Sequence, residues 1–135
     1  MKFGRLTDKV IRAAIEVHRG LGPGLFEEVY KACLKHELQK VGLQVTSEVN
    51  LPVVYDGIEL ELGYRIDLLV ENQLIVELKS VTKLLPVHNA QLLTYIRLAN
   101  IDTGLLLNFN TPVLKDGIKR VVNTKHSASP RLRVT

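Results

Sequence analysis

"DLLVENQLIVELK", residues 67–79, is two apolar runs joined by a polar turn, and the length of that turn decides the fold. Leu68, Leu69 and Val70 lead into Glu71, Asn72 and Gln73, and Leu74, Ile75, Val76 and Leu78 lead out. Apolar runs bounded by a polar cluster of this kind predict two antiparallel strands. With three turn residues, Val70 pairs with Leu74, and counting back sets Asp67 opposite Glu77. Directly paired residues project to one side of a sheet. Asp67, Glu77 and, two residues on, Lys79 are therefore expected on one face. A two-residue turn would send Asp67 to the other.

Outward from this hairpin the period-two pattern continues upstream. Val45–Tyr55 and Ile58–Val70 read as strands around an Asp56-Gly57 turn, and Leu74–Ser80 as the next strand. Along the second of these, Ile58, Leu60, Leu62, Tyr64, Ile66, Leu68 and Val70 are expected on one face, with Glu59, Glu61, Arg65 and Asp67 on the other. "TGLLLNF", residues 103–109, is almost wholly apolar and fits a strand buried in the middle of a sheet. A last strand or short helix is expected over residues 117–123.

Three segments have helical period instead. Residues 7–19 place Val10, Ala13, Ala14 and Val17 on one face, with Thr7 or Asp8 as a cap. "GLGPG", residues 20–24, ends that helix. It lacks the Gly-Lys-Ser/Thr ending of a phosphate-binding loop. A second helix is expected over residues 26–41, with Phe26, Val29, Tyr30, Cys33, Leu34 and Val41 as its buried stripe. Glu28, Lys31 and Lys35 fall on its solvent side, while Glu27 lies beside Tyr30 and Leu34. A carboxylate turned toward a core needs a partner. Pro86 opens a third helix, to residue 100. Helices flanking a mixed sheet make an α/β domain over residues 1–123, followed by a polar, basic tail, 124–135, expected to fray.

Composition narrows the function classes. The 135 residues are 46% hydrophobic and 24% charged, as in a globular chain. No apolar run approaches a membrane span and the N-terminus lacks a secretory h-region. Cys33 is the one cysteine, which excludes an intrachain disulfide and fits the cytoplasm. Four scattered histidines offer no zinc spacing. A net charge of +4 is compatible with a polyanionic partner without requiring one.

The acids supply the chemistry. At a separation of about 5 Å and an effective dielectric near 20, two carboxylates repel by roughly 3 kcal/mol. Such a pair shares a proton, stays solvated or takes a cation. Lys79 supplies one positive charge, and hard oxygen ligands with retained waters suit Mg²⁺.

Asp67 followed by Glu77-Leu78-Lys79 resembles the D…ExK core of the PD-(D/E)XK nuclease superfamily. "GLFEEVY", residues 24–30, fits G-x-x-E-x-x-Y through Gly24, Glu27 and Tyr30, and resembles the small GxxExxY proteins of that superfamily. "QLLTY", residues 91–95, fits the Q-x-x-x-Y helix of its RecB-like branch, with His88 on the same helical face as Gln91 and Tyr95. Ile66 stands where the superfamily's name has proline. The resemblance, in the right order from residue 7 to residue 123, implies a restriction-endonuclease-like core and a Mg²⁺-dependent nuclease, with Mn²⁺ as an alternative ion. It implies Asp67 and Glu77 as principal metal ligands, joined by the Leu78 carbonyl and by Glu27, directly or through water. Lys79 would be the catalytic lysine. Tyr30, His88, Gln91 and Tyr95 would support the site or contact nucleic acid, with DNA favoured over RNA. A homodimer or partner protein would supply target recognition. The competing class is a catalytically silent module that keeps the fold and binds nucleic acid or protein.

Overall fold

The structure, a computed structural model, describes residues 4–123 and 132–133. Helices α1 (Arg5–Leu21) and α2 (Glu27–Lys40) precede strands β1 (Val45–Tyr55), β2 (Ile58–Val70) and β3 (Leu74–Lys79). Helix α3 (Pro86–Leu98), strand β4 (Thr103–Asn108), a 3₁₀ turn (Leu114–Gly117) and strand β5 (Ile118–Val122) follow. Leu132–Arg133 form β6, paired with Val54 and Tyr55 at the edge of the sheet. Two residues of the expected tail are thus strand; the rest of it lies outside the described residues. Helix α1 begins one turn earlier than its sequence suggests, after Gly4, so neither Thr7 nor Asp8 is its cap. Thr7 is buried instead.

The sheet order is β5-β4-β3-β2-β1-β6, with β3 and β4 parallel and the other neighbours antiparallel. Strand β4 is interior, as its apolar run requires. One layer of core joins α1 and α2 to the sheet through Val10, Ala14, Tyr30, Leu34, Leu68, Val76, Leu78 and Leu107. The other joins α3 through Leu92, Tyr95 and Ile96 to Leu51, Ile66, Ile75 and Leu106. This is a six-stranded mixed sheet with three helices, the restriction-endonuclease-like architecture.

The deciding turn has three residues. Val70 pairs with Leu74 and Leu68 with Val76, and the Gln73 N–H donates to the Val70 carbonyl at 3.0 Å. Glu71 and Asn72 take left-handed backbones, φ 54° and 52°. Asn tolerates that region better than Glu, and Glu71 is held there from the residue before β1: its carboxylate accepts the Gln44 N–H at 2.6 Å.

Two expectations fail, each for a physical reason. The even-numbered residues of β2 do not share one face: Ile66 packs in the α3 layer, Leu68 and Val70 in the α1/α2 layer. On β1, Ser47 pairs with Leu68 and Val49 with Ile66, and Glu48 between them is left-handed, φ 56°. The pleat turns over at Glu48 and Asp67, so strict alternation breaks there. Near the hairpin end Ile58, Leu60 and Tyr64 are exposed.

The stripe of α2 is also rotated. Tyr30, Lys31, Leu34 and Leu38 are buried, Cys33 is half-buried, and Phe26, Val29 and Val41 face outward. At 100° per residue Glu27, Lys31, Leu34 and Leu38 form one face. That face presents two charges to the sheet, and hydrophobicity alone could not locate it.

The turn beyond β4 is tightly registered. Asn108 is buried; its amide donates to the Val81 carbonyl at 2.9 Å and its Oδ1 accepts the Val81 N–H at 3.1 Å. A Cβ at Gly117 would collide with the Asn108 carbonyl oxygen. A backbone atom cannot swing aside, so Gly117→Ala is expected to cost about 2 kcal/mol, the size of other overpacking substitutions. Urea unfolding measures it; a change below a few tenths would mean the turn relaxes freely.

Candidate active site

Beyond Leu68–Val76 the β2–β3 ladder is continued by side chains. The Asp67 N–H donates to Glu77 Oε2 at 2.7 Å. The Leu78 N–H donates to Asp67 Oδ2 at 2.9 Å. Each carboxylate thus occupies a rung that a backbone carbonyl would otherwise fill, and the two strands fork around them. Alternation along β3 sets Glu77 and Lys79 on the side of Ile75, toward α3. Asp67, at the turnover of the pleat, lies between the layers.

Helix α2 reaches the fork from the other side. Glu27 Oε2 accepts the Ser80 N–H at 3.1 Å, one residue past Lys79. The Ser80 hydroxyl donates to the Leu25 carbonyl at 2.6 Å, tying the loop before α2 to the end of β3. Tyr30 fixes that loop from beneath: its hydroxyl donates to the Gly22 carbonyl at 2.5 Å and accepts the Leu25 N–H at 3.1 Å. Its ring stacks on Phe109 with centroids 4.4 Å apart. Tyr30 is an anchor for Glu27.

On α3, Tyr95 is buried and packs against Tyr64 with ring centroids 5.2 Å apart. Gln91 is exposed one turn before it, and lines a cleft of ≈ 330 Å³ with Tyr64, Val87, His88, Ala90 and Thr94. His88 Nδ1 accepts the Leu85 N–H at 3.0 Å, which closes the first turn of the helix. Larger hollows, ≈ 510 and ≈ 570 Å³, lie along α1, remote from the acids.

Electrostatics mark the fork as a place short of positive charge. Burial, and then the neighbouring charge of Asp67, push the Glu77 carboxyl up to about 8, against the pull of the Asp67 N–H, Lys79 and Lys31. Burial likewise raises Asp67, although the Leu78 N–H, Lys31 and Lys79 pull it down. Burial and the field of Glu77 push the Tyr95 phenol up to about 12. A group held away from its charged form by burial and a like charge is stabilised in that form by an added cation.

Two further residues of the site are not evident from sequence. Lys31, assigned by periodicity to the solvent side, has a side chain only 10% exposed. Its Nζ donates to Glu28 Oε1 at 2.9 Å and to Glu48, and stands 3.7 Å from Asp67 Oδ1. Burial works against its charge, but the bonds to Glu48 and Glu28 and the field of Asp67 outweigh it and raise its pKa. Glu48 is lowered chiefly by its bond to Lys31. The one available signal was Glu27: if that acid faces the sheet, Lys31, one turn on, must face it too.

A model of the PD-(D/E)XK nuclease superfamily matches residues 4–121. The chain belongs to that superfamily. Its members generally use divalent metals and act on nucleic acid. A solved structure described as "Crystal structure of SSO0001" is 18% identical, covers 89% of this chain and 79% of its own, and gives a TM-score of 0.47. No curated protein gives a significant match.

The donor chemistry of the fork suits the superfamily's ion. Among the described residues no three His, Cys, Asp or Glu side chains form a ready-made metal cage. Mg²⁺ does not need one: it commonly takes one or two carboxylates and keeps waters or substrate phosphates. Asp67 and Glu77 each spend one oxygen on a backbone N–H; Glu77 has a second to offer, and the second of Asp67 also faces the Lys31 ammonium at 3.7 Å.

Proposed function

We propose that this chain is a Mg²⁺-dependent nuclease, of the small GxxExxY kind and the RecB-like branch, that hydrolyses phosphodiester bonds in DNA. The observation that supports it best is the fork, where Asp67 and Glu77 replace two rungs of the ladder with Lys79 and Glu27 beside them. Asp67, Glu77 and the Leu78 carbonyl would hold Mg²⁺ or Mn²⁺, with Glu27 joining directly or through water. When bound, such an ion neutralises charge and makes water more acidic.

The protein's own groups do the rest. The backbone N–H groups of Asp67 and Leu78 fix the carboxylates, so the acids are oriented before any ligand arrives. Lys79, half-buried at the end of β3, orients water or stabilises negative charge developing on the phosphate. Its backbone is pinned where the Phe109 N–H donates to the Lys79 carbonyl at 2.9 Å. Glu27 holds Ser80 and so the start of the loop toward α3. Gln91 and the cleft beside Tyr64 offer contacts to a nucleic-acid backbone, with Tyr95 packed behind them.

Residues 1–123 make the nuclease-like domain, with Leu132–Arg133 added at the edge of its sheet. The lone Cys33 suits a cytoplasmic protein, and among the described residues no helix is long and apolar enough to cross a membrane. A small domain leaves target recognition to a second copy or a partner protein.

The decisive test is a panel of single- and double-stranded DNA and RNA with Mg²⁺, Mn²⁺ or EDTA, with Asp67→Asn beside wild type. Cleavage that needs the ion and Asp67 is expected. The ion should also raise the melting temperature of wild type, because it binds the folded state, and raise Asp67→Asn less. An equal rise in both would remove Asp67 from the ligand set. Metal-dependent binding of nucleic acid without cleavage by any form would favour the silent module.

A further inference from the structure

The proposed ion site has a fixed positive charge on its α2 side. Lys31 reaches between α2 and the sheet to meet carboxylates from three elements: Glu28 of α2, Glu48 of β1 and Asp67 of β2. Its side chain is 10% exposed and that of Asp67 is 23% exposed, so this charge is partly shielded from solvent. Glu48 is brought there by a left-handed backbone, φ 56°, which a β-strand glutamate does not ordinarily adopt. Arg65 Nη1, 3.7 Å from Glu48 Oε2, balances the second oxygen of the same carboxylate.

The two oxygens of Asp67 are unlike. Oδ2 accepts the Leu78 N–H at 2.9 Å, within the fork. Oδ1 is 3.7 Å from the Lys31 ammonium, an ion-pair distance too long for a hydrogen bond. A site for two divalent ions generally places them about 3.5–4 Å apart, with ligands shared between them. Around Asp67 the second place would fall on the side of Glu48 and Glu28, where the ammonium stands.

Resting on the nuclease reading above, we propose that Lys31 is a positioning residue that fills the second cation place, so that the site takes a single divalent ion. An ammonium is a compact point charge with three donors. It satisfies Glu28, Glu48 and Asp67 without exchanging with solvent ions, because it is covalently attached. A divalent ion entering beside it would meet a positive charge at close range in a partly dry space. Lys31 therefore both places a positive charge beside Asp67 and restricts what else can bind.

Ion stoichiometry tests this directly, by calorimetry and by Mn²⁺ electron paramagnetic resonance in the absence of nucleic acid. Wild type is expected to bind one ion. Lys31→Gln, which keeps most of the stem and removes the charge, is expected to bind a second, weaker ion among Glu28, Glu48 and Asp67. Lys31→Gln combined with Glu48→Gln should return to one. Two ions on wild type, or one on Lys31→Gln, would overturn the proposal while leaving the nuclease reading in place. Loss of all specific binding to wild type, or undiminished binding to Asp67→Asn, would instead defeat the ligand assignment on which both rest. Should Lys31→Gln not fold, Glu48→Gln decides: freed from Glu48, the ammonium leans on Asp67 and weakens the first ion several-fold. Unchanged affinity there would count against Lys31 acting through Asp67.

Discussion

Lys79→Ala is expected to lower the cleavage rate by about a hundredfold or more, the usual loss when a preorganised charge is removed from a reacting centre. Divalent-ion affinity should stay intact or tighten, because a positive charge beside Asp67 and Glu77 is gone. Alanine at Asp67 or Glu77 should instead weaken ion binding and cleavage together. That separation is what distinguishes a catalytic lysine from a charge that only offsets the acids. Lys79 projects from the end of β3, and its backbone is held by Phe109 whatever the side chain. Melting temperatures and single-turnover rates of the three variants make the comparison, and wild-type cleavage by Lys79→Ala would remove its catalytic role.

Glu77→Gln should stabilise the ion-free protein at alkaline pH. The folded carboxyl sits at about 8, against an unfolded value of about 4.3. Between those values the folded state holds a proton that the unfolded state has lost, so stability falls as pH rises through the window. The loss is complete above the folded pKa. Gln keeps an oxygen to accept the Asp67 N–H and never ionises, so its stability should lack this slope. At pH 9 the variant should exceed wild type by at least about 1 kcal/mol, or about 4 °C for a chain of this size. The gap should close toward pH 5. Mg²⁺ should then restore wild type at pH 9 and do little for Glu77→Gln. A variant that melts below wild type at both pH values would mean Glu77 is not held out of its charged form by the fold.

Much of this arrangement was legible from the hairpin alone. Turn length fixed the pairing of Val70 with Leu74. The ladder stops at Leu68 and Val76, and one residue further the Asp67 N–H meets the Glu77 carboxylate instead of a strand partner. The apolar run of β4 announced its interior place, and Glu27 stood out as an acid on the wrong side of its helix. Periodicity failed where charges were buried for a purpose. Lys31 reads as solvent-facing because lysine usually is, and its burial is made tolerable by Glu28 and by two acids distant in sequence, Glu48 and Asp67. Phe26, 84% exposed despite its ring, stands outside α2 as its extended N-cap, so the helical period does not place it. Nor could alternation reveal the overturned pleat at Asp67, since a left-handed glutamate carries no sequence mark. His88 shows the converse: its place on the face of Gln91 and Tyr95 was readable, but its bond to the Leu85 N–H was not.

The three-residue turn has a consequence for how this gene can vary. Glu71, Asn72 and Gln73 lie at the far end of the hairpin from Lys79, and Asn72 and Gln73 are open to solvent. Single exchanges at Gln73 would be absorbed there like most changes in a surface loop, and at Asn72 those to residues that accept its left-handed backbone. A deletion or insertion of one codon would not, because it transposes every side chain of the following strand relative to Asp67. Lineages could therefore diversify the spelling of this loop while its length remained frozen.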